Sequence, residues 1–154
     1  MRGKSASDCS ESEVRDIAIG YLGRREYGVE ELRQKLQQRG ADAGITHSVI
    51  EALVKDNLLS DQRFTQMYIR TRVRALFGPL KIRGELRQRG ISDAVITREM
   101  PDEQNLWFDS ACEWVNKRHH AELDYTARAK LHRSLMNRGF THEQASVALD
   151  QLVH

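Results

Sequence analysis

Proline and cysteine are nearly missing from this chain, with two of each among 154 residues. Pro79 and Pro101 both fall where a helix would begin or has just ended, so nothing interrupts helices elsewhere. Cys9 lies in a start rich in Ser5, Ser7 and Ser10 that reads as disordered, whereas Cys112 follows Phe108 by one helical turn and reads as a small core residue. A disulfide framework is therefore excluded. No apolar run is long enough to span a bilayer, and the first ten residues lack the apolar block of a secretory signal, so the cytoplasm is the expected location. Alternating β-branched runs are missing too, which argues against strands. Catalytic signatures are equally scarce: no Gly-rich loop follows a strand, no nucleophile elbow occurs, and His119-His120 lacks the spacing of a zinc protease. The six histidines are scattered, with His132 and His142 expected in solvated or capping roles near a turn. No enzyme, metal site or cofactor is expected.

What the chain does contain is a repeat. Arg-Gly occurs at Arg39-Gly40, Arg89-Gly90 and Arg138-Gly139, in frames 50 and then 49 residues apart. Counting back from each glycine, Leu32 and Leu36, Ile82 and Leu86, and Leu131 and Leu135 occupy identical offsets. Such self-similarity predicts an all-α solenoid in which no repeat buries its apolar face alone and stacking builds one continuous core. After each glycine the pattern predicts an apolar residue and a capping hydroxyl, at Ile45-Thr46, Ile91-Ser92 and Phe140-Thr141, with residues 41–44 as an insertion in the first copy. A longer stretch with helical spacing precedes each Arg-Gly segment, at residues 12–23, 61–77 and 102–118. The expectation is an elongated arc, curved to one hand or the other, of three tandem three-helix repeats: a disordered segment 1–11, then repeats at 12–59, 60–100 and 101–154. Aromatics are only 6% of the chain, and Trp107 and Trp114, seven apart on one helix, are expected in the core. The paired acids Glu30-Glu31 and Asp102-Glu103 lie at helix starts, where they oppose the dipole.

Charge is distributed unevenly. Residues 1–59 hold nine basic and ten acidic side chains, 60–90 eight and two, and 91–154 seven and ten. The middle therefore carries +6 between mildly acidic flanks, and this points to an anionic partner. The basic residues are Arg63, Arg70, Arg72, Arg74, Lys81, Arg83, Arg87 and Arg89; Arg24, Arg25, Arg33 and Arg39 add to them from the first repeat. At about 100° per residue, Arg63, Arg70 and Arg74 form one stripe of their helix. Phe64, Tyr68, Thr71 and Ala75 form a second, and Ile69, Val73 and Leu76 a third. Two apolar faces predict a helix wedged between neighbours with the arginine stripe wet. Arg83 and Arg87 share a face of the next helix, and like charges at that spacing repel by a few tenths of a kcal/mol, a cost that a neutralising partner would relieve.

Three segments carry a resemblance. Leu22-Gly23-Arg24-Arg25-Glu26-Tyr27-Gly28-Val29-Glu30-Glu31-Leu32, Asn57-Leu58-Leu59-Ser60-Asp61-Gln62-Arg63-Phe64, and Phe77-Gly78-Pro79-Leu80-Lys81-Ile82-Arg83-Gly84-Glu85-Leu86-Arg87-Gln88-Arg89-Gly90-Ile91 resemble the RecX family of bacterial recombination regulators, in order and at the right intervals. The resemblance runs from about Val14 to the C-terminus. Ser60 stands where the family usually has an acid, Thr65 where it has alanine and Gly28 where it has serine; the first implies a weakened local cap or salt bridge. The resemblance implies a monomeric regulatory protein that binds the RecA recombinase and its filament on single-stranded DNA, lodging in the filament groove. It implies suppression of filament extension, ATP hydrolysis, strand exchange and co-protease activity, and hence a part in recombinational repair and the SOS response. The basic middle would face an acidic filament surface or the DNA backbone, with weak direct DNA contact allowed, and arginine suits either through its planar fork. Two other readings stay open: a helix-turn-helix DNA binder at 85–100, where Leu86, Gly90 and Val95 match core and turn positions, and a helical-repeat adaptor with an unrelated partner.

Overall fold

The computed structural model describes residues 9–119 and 123–152, so most of the expected disordered segment 1–11 lies outside the described residues. Among the described residues there are nine helices and no strand: α1 Glu11–Leu22, α2 Val29–Gln38, α3 Ala43–Lys55, α4 Asp61–Arg74, α5 Pro79–Gln88, α6 Asp93–Glu99, α7 Gln104–Arg118, α8 Tyr125–Asn137 and α9 His142–Gln151. They follow the sequence repeat in threes.

The repeat is built by its caps. Gly40, Gly90 and Gly139 adopt φ of 89°, 82° and 96°, the left-handed conformation that lets a chain leave a helix, and they end α2, α5 and α8. The reversal is hydrogen-bonded: Ala41 N–H donates to Leu36 O at 3.1 Å, and Phe140 N–H to Leu135 O at 3.2 Å. The next residue in each copy, Ala41, Ile91 or Phe140, is buried. The one after it caps the third helix, through Asp42 to Ile45 N–H, Ser92 to Val95 N–H and Thr141 to Gln144 N–H. This corrects the reading of the first copy. Residues 41–44 are not an insertion; Ala41 takes the apolar position, Asp42 is the cap, and Thr46 lies buried inside α3. Aspartate caps as well as a hydroxyl does, so a search for Ser or Thr missed it. Ser60 likewise keeps a cap on α4, its Oγ accepting the Arg63 N–H at 3.2 Å.

The chain divides into two compact units: one holds the described residues of Met1–Met67 with Arg87–Val95, the other those of Tyr68–Leu86 and Ile96–His154. In the first unit α1 and α2 pack on α3. Val14, Ala18, Leu32, Leu36, Val49, Ile50 and Leu53 form a core there, closed by Tyr27 and Leu59. The first repeat thus buries an apolar face of its own, contrary to the expectation that none could. Cys9 belongs to the same cluster, so it is ordered and buried rather than part of a disordered start, and Ser10 behind it closes a capping box with Glu13. The start of α2 meets the second repeat in this unit, where Val29 N–H donates to Asp61 Oδ1 at 2.8 Å and Glu30 lies against Gly90.

In the second unit α7 and α8 pack on α9. The start of α5 meets the third repeat by the same joint: Gly78 N–H donates to Arg138 O at 2.8 Å and Leu80 N–H to Gly139 O at 2.9 Å. Trp107 and Trp114 are buried with Ala111 and Val115 on α7, as their spacing predicts. Cys112 is different: it is half-buried and its Sγ–H donates to Gln151 Oε1 at 2.9 Å, with burial pushing its thiol above the ordinary value. Neither Cys9 nor Cys112 forms a disulfide among the described residues.

Helix α4 departs from the two-faced expectation. Phe64, Thr65 and Ile69 are buried and Leu76 just beyond the helix joins them, while Tyr68 and Val73 are half-buried and Thr71 and Ala75 are exposed. One apolar face therefore suffices, with Thr65 on it. Arg70 and Arg74 remain wet.

Candidate partner-binding face

Most of the basic residues singled out from the sequence are engaged inside the molecule. Six of the twelve are paired with acids: Arg25 and Arg89 with Glu31, Arg33 with Glu30, Arg63 with Glu26, Arg72 with Glu85 and Arg87 with Asp93.

In the first unit, Glu31 sits between two arginines. Arg25 reaches it with two nitrogens at 2.9 and 3.1 Å, and Arg89 with one at 2.8 Å, so this acid does more than oppose the α2 dipole. Its hydrogen bond raises the Arg25 guanidinium above its ordinary value, against the opposing effect of burial. Arg25 also stacks 3.7 Å above the Tyr27 ring. Arg63 is tied three ways, to Glu26 Oε1 at 2.9 Å and to Asn57 Oδ1 and O at 3.0 and 2.8 Å, and so leaves the free stripe to which its helical position assigned it. Arg39 donates to Tyr21 Oη at 3.2 Å. The Arg87–Asp93 pair is largely exposed, with side chains 55% and 70% accessible, and such a pair is worth at most about 1 kcal/mol. A partner could replace it at small cost. Arg24 is exposed and its side chain has no partner among the described residues.

In the second unit, Arg72 is held firmly: Nε and Nη2 donate to Glu85 at 3.1 and 2.8 Å, and the guanidinium lies 3.7 Å over Phe77. Lys81 is exposed with its ammonium 5.4 Å over the same ring, and Arg83 donates to Thr97 Oγ1 at 3.3 Å. Arg70 and Arg74, four apart on α4, are exposed and have no acid partner among the described residues. They are the clearest unneutralised pair on one helix face. Arg98, in the last turn of α6, is exposed and unpaired in the same way. Sequence reasoning passed over it because it lies beyond the basic block, and one arginine beside Glu99 gives no local signal.

Arg138 was also missed as a functional part of the fold. It donates to Leu76 O at 2.9 Å and Ala75 O at 2.6 Å, and stacks 4.1 Å from Phe77, where Leu76 holds a φ of 64°. Burial, then the charges of Arg118 and Arg72, lower its guanidinium below the ordinary value. Its job is structural: it clamps a left-handed residue that L side chains seldom adopt. His142 is exposed and His132 half-buried, as a solvated role predicts, and the two meet: Nε2 of His132 lies 3.0 Å from Nδ1 of His142. Among the described residues no group of three or more His, Cys, Asp or Glu could hold a metal ion, and no helix is long and apolar enough to cross a membrane.

Comparison with known proteins gives this arrangement a family. Residues 15–53 match the model of the RecX first three-helix domain and residues 60–99 that of the RecX second three-helix domain. The chain is 38% identical over 146 residues to the regulatory protein RecX of Halorhodospira halophila, covering 94% of this chain and 91% of that protein. It is 38% identical over 140 residues to that of Chromohalobacter salexigens, covering 90% and 92%. Among solved structures, RecX from Lactobacillus salivarius superposes with a TM-score of 0.81 at 20% identity over 92% of this chain and 96% of that one, which shows the shared fold. With such identity along almost its whole length, the chain belongs to the RecX family of regulatory proteins.

Proposed function

We propose that this protein binds the RecA recombinase, chiefly as its filament on single-stranded DNA, and restrains filament extension, ATP hydrolysis, strand exchange and co-protease activity. It would act as a cytoplasmic monomer without a cofactor, modulating recombinational repair and the SOS response. The observation that carries this reading is the 38% identity to a regulatory protein RecX over 94% of the chain. Arg70 and Arg74 supply the first place to look for contact. Both charges are already solvated and unpaired, so meeting a carboxylate or phosphate breaks nothing inside the protein, whereas recruiting Arg72 or Arg63 means giving up hydrogen bonds worth about 1.5–3 kcal/mol each when charged.

The test is RecA ATP hydrolysis on single-stranded DNA, titrated with the parent and with Arg70→Glu/Arg74→Glu. The parent should inhibit, and the variant, checked for native helicity, should need at least about tenfold more protein, the scale of one or two lost charge contacts. Equal inhibition by both would keep the function and remove these arginines from the interface. Inhibition by neither, with the parent binding bare DNA and losing affinity steeply as salt rises, would put the helix-turn-helix reading in its place.

A further inference from the structure

A groove of about 590 Å³ runs between α8 and α9 in the second unit. Ala129 lines it, Met136 is 40% exposed there, and Tyr125 stands at its edge 89% exposed. Single exposed apolar side chains are ordinary on protein surfaces, but here two large ones border the same cleft. Its charged lining is one-sided. Arg133 is exposed and has no partner among the described residues; His132 and His142 face each other across 3.0 Å, a hydrogen bond that two neutral rings make, with burial and then His142 and Arg128 lowering the His132 imidazole below its ordinary value; Arg128 is answered by Asp150 at 2.5 Å.

The first repeat offers an internal comparison. Its α2–α3 groove, about 570 Å³, has Arg33 where the third repeat has His132 and His47 where it has Ser146. There Arg33 is answered by Glu30 and His47 by Glu51 at 3.1 Å, while Lys55 is exposed and has no acid partner among the described residues. The fold makes the groove in both repeats and leaves one cation unanswered in each, Lys55 in the first and Arg133 in the third, but only the third borders it with an exposed tyrosine and methionine.

We propose that the α8–α9 groove is a docking site for an acidic peptide segment of a partner protein, which places one apolar side chain between Tyr125 and Met136 and its carboxylates on Arg133 and the histidine pair. Charge complementarity selects an acidic occupant, and the apolar lining selects a side-chain anchor. A nucleic-acid strand fits less well, because a phosphate track needs a row of free cations, and Arg138 nearby is committed to backbone carbonyls.

The proposal is tested by calorimetry on the full chain with three probes: a short synthetic Asp/Glu peptide with one central leucine, the same peptide with serine in its place, and oligothymidylate of equal charge. The leucine peptide should bind best. Arg133→Glu and Met136→Ser should each weaken it by about tenfold or more, while Arg33→Glu in the first-repeat groove leaves it unchanged. All three positions are exposed or half-buried, and circular dichroism checks that the helices persist; if Met136→Ser perturbs them, Arg133→Gln carries the comparison. The idea fails if the leucine peptide does not bind, if the serine peptide binds equally, if Arg33→Glu is as damaging, or if oligothymidylate binds in its place and loses affinity on Tyr125→Ala. None of these readouts involves the recombinase, so they stand apart from the proposal on function.

Discussion

Gly139 shows how much a single backbone position does in this protein. Its φ of 96° is costly for an L side chain, and a methyl group there would lie 2.3 Å from Lys81 Cβ and 2.5 Å from Lys81 N. Gly84 is the opposite case, a glycine within α5 where an added methyl meets nothing within 4 Å. Gly139→Ala should therefore destabilise by more than the roughly 1–2 kcal/mol of the left-handed conformation alone, since the clash adds to it. Gly84→Ala should stabilise by about 0.5–1 kcal/mol through helix propensity. Urea denaturation of the two variants settles both, and similar midpoints would contradict the account. The glycines were legible in the sequence because only their backbone freedom explains the recurrence. The arginines before them were not, since Arg138 finds its acceptors at Ala75 and Leu76 and Arg89 finds Glu31, partners about 60 residues away that no local pattern indicates.

Helices were read well where one periodicity governed them and less well where two competed. On α7, Trp107 and Trp114 share a face and both are buried, so truncating either to Ala should cost about 3–5 kcal/mol. Thermal unfolding is the check, and an unchanged midpoint in either variant would mean that the ring packs against little. On α4 the sequence offered two apolar stripes, yet Thr71 and Ala75 are exposed and Thr65 is buried. Threonine and alanine sit acceptably on either side of a helix, so their positions carried no decision; Phe64 and Ile69 did. The same limit applies to the basic face. Composition located the excess charge, but Glu26 in the α1–α2 connection and Glu31, Glu85 and Asp93 on other helices neutralise much of it, and only the folded chain shows that Arg70 and Arg74 are left over.

At the scale of the whole molecule, the threefold repeat was legible because it is written in identical offsets, whereas the two compact units were not, because their boundary falls inside the second repeat. The reason lies in a joint used twice. Within the first unit the start of α2 is tied to the second repeat through Val29–Asp61 and Arg89–Glu31; within the second unit the start of α5 is tied to the third through Gly78–Arg138, Leu80–Gly139 and the Arg138 clamp. A fragment ending at Met100 keeps the first joint and loses the second. Two backbone bonds disappear, each worth about 0.5–1.5 kcal/mol net, and Leu76 loses the arginine that holds its left-handed carbonyl. Amide exchange in the fragment should consequently accelerate at Gly78 and Leu80. Protection within α1, α2 and α3 should persist, because the core of the first repeat lies entirely in residues that the fragment retains. Equal protection of Gly78 and Leu80 in fragment and full chain would show that the third repeat does not support α5, and uniform loss of protection everywhere would show that the first repeat has no stability of its own.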